Sequence, residues 1–308
     1  MTYTLKPVSL TSKQVDTLPI GANKRKTSKV NFGKNLKIDV KKFPQLAKLA
    51  KKYPKISDVR FSTNAQLLEF MVLVAKMFPK VYLPNSLSAY KGRSPGTAVY
   101  EKNSGLFNVN VNLEKLKVAK DQKDVSLESA LRIFLHEMSH VFQEMGDLSS
   151  YGHRLKWKKR TEQIFKAFGI VEVRSPKSIK AAKIVMEAID KGITEEATLK
   201  KLKELYPTAS SGFIKTVHKE AIDAIPAHKQ GLTSASSYFD SATWTLDFFD
   251  LVKATKGGIE EQLKQLNAFF KQVSELEGRE IKSMKIDEWR QTEETRNQLE
   301  FLWNCLKS

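Results

Sequence analysis

The stretch His136-Glu137-Met138-Ser139-His140 constrains the fold more than any other part of the chain. Histidines four residues apart share one face on a helix of about 3.6 residues per turn. The flanks agree with a helix. Ser126 is a fitting N-cap, and Glu128 falls in the first turn, where an acid complements the helix dipole. Leu131, Phe134, Leu135, Met138, Phe142 and Met145 recur at helical spacing, and Gly146, beside Asp147, is a fitting stop. The chain must therefore bury one face of a long helix while presenting two imidazoles and a carboxyl near its rim. That requires a second layer of structure for the helix to pack on.

The preceding residues predict that layer. Val40, Phe43, Leu46, Leu49, Ala50 and Tyr53 have helical spacing with lysines outside. Ser62-Thr63-Asn64 is an N-cap cluster for a helix over 65–78, apolar on most sides and ended by Pro79. Val81-Tyr82-Leu83 reads as a short strand closed by Pro84, and Tyr90 to Gly96 as a Gly/Pro/Ser loop. Thr97–Glu101, a turn at Asn103-Ser104-Gly105 and the alternating run Leu106–Asn112 read as a hairpin whose asparagine face borders a cleft. The fold class expected is α+β, with a small mixed or antiparallel sheet packed on the H-E-x-x-H helix and an all-helical C-terminal region.

In that C-terminal region, from 176 on, helical periods dominate, broken at Gly192, Pro207, Pro226, Gly231, Gly257-Gly258 and Gly278. Residues 259–276 are a clean amphipathic helix, with 287–306 as its expected antiparallel partner. Glu195–Leu205, a turn, and Phe213–Ile222 trace the outline of a helix-turn-helix, but a plain helical hairpin is the reading preferred. The division expected is a flexible basic arm over 1–35, a domain over 36–175 built around the H-E-x-x-H helix, and a helical domain over 176–308.

Net charge is +18, and residues 1–60 hold two-thirds of it, with 15 lysines and arginines against three acids. Such a balance suits acidic partners, DNA among them, through the Lys24-Arg25-Lys26 arm. A second basic patch, Lys156, Lys158, Lys159 and Arg160 with Arg154, follows the candidate metal site. The single cysteine, Cys305, excludes an internal disulfide and a cysteine-rich zinc ribbon within the chain. No run of about 18 apolar residues predicts a membrane span, and the N-terminus shows no apolar signal region. An intracellular (cytoplasmic or nucleoid/nuclear) or virion-associated location is expected.

The ligand types point to one Zn2+ ion. A catalytic zinc site takes three protein ligands and leaves one position for water. His136 and His140 supply two. The third is either an acid on a later helix or a histidine after a return loop. His153, twelve residues beyond His140, suits the second case. His218 and His228 lie in another segment, and nothing around Glu172 or Glu195 recommends them. Glu137 has the position of a general base. Tyr151 and Arg154 are candidate donors to the transition-state oxyanion, with Lys156 beside them.

His136-Glu137-x-x-His140, twelve residues, then His153-x-x-x-Trp157-Lys158 resembles the SprT-like metalloprotease domain, a family that includes the Spartan-type DNA–protein crosslink proteases. The resemblance covers roughly residues 60–170. It implies a zincin-like fold, His136, His140 and His153 as zinc ligands, Glu137 as acid/base, and Trp157 as the aromatic packing the third-ligand loop. It also implies proteolysis near DNA and places the hairpin beside the substrate cleft. The family's glycine after the third histidine is Arg154 here, and Gly152 precedes the histidine instead. The expected function is a zinc-dependent metallopeptidase acting on a protein substrate. The alternative is a DNA-binding or virion-packaged structural protein whose protease-like domain is mainly scaffold.

Overall fold

The structure, a computed structural model, describes residues 2–4, 36–78, 83–101, 106–117, 122–141, 155–173, 176–229, 244–277 and 281–308. It is mixed α+β and rich in helix. Two compact units are present. The first comprises Met1–Gly152, Gln163–Phe168 and Arg290–Ser308, and the second His153–Glu162 and Gly169–Trp289.

The first unit opens with β1 (Thr2–Thr4), so the segment expected to be a flexible arm contributes a strand. After a single 3-10 turn, α1 (Pro44–Lys52) starts with proline in its first turn, where no N–H is missed. Next come β2 (Arg60–Phe61), α2 (Asn64–Ala75), β3 (Ser86–Ala89), β4 (Gly96–Glu101), β5 (Leu106–Val111), α3 (Leu113–Leu116), β6 (Val125–Ser126) and α4 (Leu127–Val141). Of the strand expected at Val81–Leu83, residues 81–82 lie outside the described set and Leu83 is in no strand; β3 begins two residues beyond Pro84. The hairpin is present as β4 and β5, paired antiparallel from Gly96↔Val111 to Glu101↔Leu106.

Local sequence sets these boundaries. Thr63 and Gln66 form a reciprocal capping box at the start of α2: the Gln66 N–H donates to Thr63 Oγ1 (3.3 Å) and the Thr63 N–H to Gln66 Oε1 (3.2 Å). Glu69, on α2, then caps the next helix over, its Oε2 accepting from the N–H groups of Gln45 and Leu46 at 2.9 Å each. Burial nonetheless pushes the Glu69 carboxyl above its ordinary range, against the pull of those two bonds. Leu46, Leu49 and Ala50 are the buried side of α1, and Lys48, Lys51 and Lys52 its exposed side.

Four strands form one sheet in the order β1-β3-β5-β4. The β3–β5 pair is parallel and the other two are antiparallel, so the sheet is mixed. Cross-strand partners share a face. Gly96 and Ala98 therefore stand with Val109 and Val111 on one side, joined by Leu87 of β3, while Thr97 and Val99 stand with Asn108 and Asn110 on the other. Helix α4 packs across β4 and β5, and α2 packs on β3. The core between them includes Phe70, Met71, Leu87, Val109, Phe134 and Leu135, all fully buried. A short antiparallel pair, Arg60↔Ser126 and Phe61↔Val125, fixes the entry to α4.

The last residues of the chain belong to this unit. Thr292 Oγ1 donates to the Lys166 carbonyl (2.7 Å), Arg296 Nη1 to that of Phe168 (3.1 Å), Trp303 Nε1 to that of Tyr53 (3.1 Å) and Lys307 Nζ to that of Pro54 (2.7 Å). Trp303 is also 1% exposed. These bonds and that burial are why residues 290–308 do not stay with the helical region in which sequence periodicity placed them.

In the second unit, α5 (Leu155–Ala167, shared with the first unit) leads to β7 (Ile170–Val173), α6 (Pro176–Asp190), α7 (Glu195–Leu205), α8 (Ser211–Lys229), β8 (Trp244–Asp247), α9 (Phe248–Lys253), α10 (Ile259–Glu277) and the start of α11 (Ile286–Cys305). It is not all-helical: β7 and β8 pair antiparallel from Ile170↔Asp247 to Val173↔Trp244. Two apolar clusters build it. One gathers Phe248, Phe249, Leu266, Phe270 and Trp289, and the other Val185, Leu202, Ile214 and Val217. The second cluster lies among α6, α7 and α8, so the helix-turn-helix outline is a helical hairpin packed on a third helix. No helix among the described residues is long and apolar enough to cross a membrane.

Candidate metal centre

Ser126 caps α4 as its sequence predicts: the Ser129 N–H donates to Ser126 Oγ at 3.2 Å, and Glu128 lies in the first turn. Leu131, Phe134, Leu135 and Met138 form the buried stripe. Phe142, Met145 and Gly146 lie outside the described residues. In the last turns of α4 the rings of His136 and His140 stand beside each other, centroids 5.5 Å apart and planes inclined at 66°. The two are buried, at 6% and 8% exposed.

Glu137 is more deeply set, at 2% exposed. Burial pushes its carboxyl up to about 8 from an ordinary 4.5. The reason is visible at Gly96, the first residue of β4. A Cβ built there would lie 2.5 Å from Glu137 Oε1, 2.7 Å from Glu137 Cγ and 2.8 Å from Ile133 Cγ2. Glu137 thus occupies the space that a side chain at 96 would fill, pressed against the strand backbone. The Gly/Pro/Ser composition of residues 90–96 predicts a loop that includes Gly96, whereas Gly96 opens β4. A glycine opening a strand marks close approach of another group, and that signal was available.

The asparagine face does not border this site. Register puts Asn108 and Asn110 on the side of the sheet away from Gly96. Their amides serve neighbouring segments. Asn108 Oδ1 accepts from Ser86 Oγ (2.6 Å), Asn110 Oδ1 accepts from Ser88 Oγ (3.2 Å) and from the Tyr90 N–H (3.1 Å), and Asn112 Nδ2 donates to the Gly92 carbonyl (2.9 Å). The alternation is legible in the sequence, and the face that meets α4 is the apolar one, because only there does a surface without hydrogen-bonding side chains match the helix stripe.

His153, Tyr151 and Arg154 lie outside the described residues, as do Lys24, Arg25 and Lys26. Lys156, Lys158 and Lys159 fall on α5, where their side chains are not described; Arg160 is half-buried and Trp157 fully buried. His218 Nδ1 lies 4.0 Å from Glu195 Oε1, so these two weaker ligand candidates face each other. Among the described residues no group of three His, Cys, Asp or Glu side chains is arranged to hold a metal ion. Comparison with family models, with curated proteins and with solved structures finds no match to this chain.

Proposed function

We propose that the chain is a zinc-dependent metallopeptidase, with His136, His140 and His153 as ligands and Glu137 as general base. One observation carries the reading: two adjacent imidazoles at the end of a buried helix flank a carboxyl that is withdrawn from water. The donor types fit zinc, for which neutral imidazole is a common ligand. Zinc held this way supplies an activated water and a Lewis acid for the scissile carbonyl.

The protein's own groups do the rest. Glu137 accepts a proton from the attacking water and returns it to the leaving amine. A carboxyl buried to a high pKa is a poor base at neutral pH, but a cation beside it favours its ionised form. Among the described residues β4 is an edge strand of its sheet, and its outward backbone groups can pair with an extended peptide next to Glu137. Tyr151 and Arg154 remain the proposed oxyanion donors. The net charge of +18 favours substrates associated with DNA.

The exposed lysines of α1 favour the second reading, a DNA-binding structural protein. The test separates the two. Metal content is measured for wild type, His153→Ala and Glu137→Gln, alongside cleavage of a protein substrate panel with and without DNA and chelator. One zinc per chain, lost in His153→Ala and kept without cleavage in Glu137→Gln, supports the peptidase. Full zinc occupancy with no cleavage by wild type, or no zinc uptake, overturns it.

A further inference from the structure

The segment that joins β3 to β4 has no regular structure, yet the protein fastens it at several points. The Tyr90 N–H donates to Asn110 Oδ1 (3.1 Å), the Gly92 carbonyl accepts from Asn112 Nδ2 (2.9 Å), and the Pro95 carbonyl accepts from the Asn112 N–H (2.8 Å). Ser94 Oγ closes on the Gly96 carbonyl at 2.8 Å. The two asparagines that do this are 4% and 2% exposed. Buried amides are costly unless fully used, and here they are used to hold a surface loop. What the loop displays is the opposite of buried. Tyr90 is 51% exposed, and Lys91, Gly92 and Arg93 are exposed in succession. No acid occurs between Tyr90 and Tyr100.

An exposed aromatic residue on a fastened loop, followed by two cations within four residues, matches the alternation of base and phosphate in a single strand. Base faces stack on aromatic rings without regard to sequence, and the cations neutralise the backbone. Neither alternative partner uses all three groups. An acidic peptide would engage the cations and leave the ring idle. A membrane surface calls for a larger apolar patch than one tyrosine. We infer that the Tyr90–Arg93 loop is a binding site for single-stranded nucleic acid, with a base stacked on Tyr90 and phosphates held by Lys91 and Arg93. The site stands independently of the peptidase reading.

The experiment is fluorescence anisotropy of the full chain with a labelled twenty-nucleotide oligothymidylate, titrated across salt concentrations in chelator, beside a duplex of the same length, a poly-aspartate peptide and phosphatidylserine vesicles. Tyr90→Ala should weaken single-strand binding by about tenfold, the scale of one lost stack, while Tyr90→Phe keeps it. Lys91→Ala/Arg93→Ala should weaken binding and reduce the slope of log affinity against log salt by about 1–2. Duplex binding, driven by the overall charge, should ignore Tyr90. Thermal melts establish that each variant is folded. Wild-type affinity in both Tyr90→Ala and the double variant, equal loss on duplex and single strand, no binding of the oligonucleotide, or tighter binding of the peptide or vesicles each overturns the assignment. Glu137→Gln should bind the oligonucleotide as wild type does, so a failed peptidase leaves this result readable.

Discussion

Removing the Glu137 charge should change how the stability of the metal-free protein depends on pH. The carboxyl has a folded value of about 8 against an ordinary 4.5, because burial strips its hydration. Between those two pH values the folded chain holds one more proton than the unfolded chain. Unfolding stability therefore falls as pH rises, by about 1.4 kcal/mol per pH unit for one proton. The favourable contribution is complete below 4.5 and lost as pH passes through 8. Over that window the loss is on the order of 5 kcal/mol. Glu137→Gln keeps the shape and removes the titration. Denaturant unfolding in chelator at half-unit steps from pH 4.5 to 8.5 would give both stability curves, and their difference should slope by the amount stated. Saturating zinc should flatten the wild-type curve, since a cation beside the carboxyl favours its ionised form. Parallel curves for the two proteins in chelator would show that Glu137 is solvated and that the burial argument fails.

Two further outcomes follow from packing. Gly96→Ala places a methyl group 2.5 Å from Glu137 Oε1 and 2.8 Å from Ile133 Cγ2, so the variant should lose about 1–3 kcal/mol from overpacking and lose peptide cleavage while keeping zinc; normal activity would mean that Glu137 is not held there. Trp303→Ala removes a fully buried indole and its bond to the Tyr53 carbonyl, and should destabilise the first unit by about 3–5 kcal/mol in chemical denaturation; a near-neutral result would detach residues 290–308 from that unit.

How far the sequence carries depends on the range of the interactions that decide each element. The cap at Ser126, the box at Thr63 and Gln66 and the stripe on α4 are settled within one or two turns of chain, and all are legible. The four-stranded sheet is not. β1 is three residues in a basic segment, and it is a strand because Tyr3 sits opposite Leu87, more than eighty residues away. β7 and β8 likewise meet across a helical stretch that separates Ile170 from Asp247. Ser86, Ser88 and Ala89 of β3 are small and weakly strand-forming, so local propensity does not single out this segment.

The site divides along the same line. The spacing of His136, Glu137 and His140 is local and survives any tertiary context that keeps the helix. Which surface closes over Glu137 is a tertiary matter, and only the register Gly96↔Val111 reveals it. That register also explains why the apolar and asparagine faces of β5 have separate duties. The apolar face accepts α4 and sets the carboxyl against a residue with no side chain. The amide face ties down the loop that delivers that residue, through Asn112 Nδ2 and the Gly92 carbonyl, while the Asn112 main-chain N–H holds the Pro95 carbonyl next to Gly96. Asn112→Ala, which frees the Gly92 carbonyl, should therefore loosen the loop that sets Gly96 against Glu137 and speed amide hydrogen exchange in residues 90–96; unchanged exchange there would refute the link.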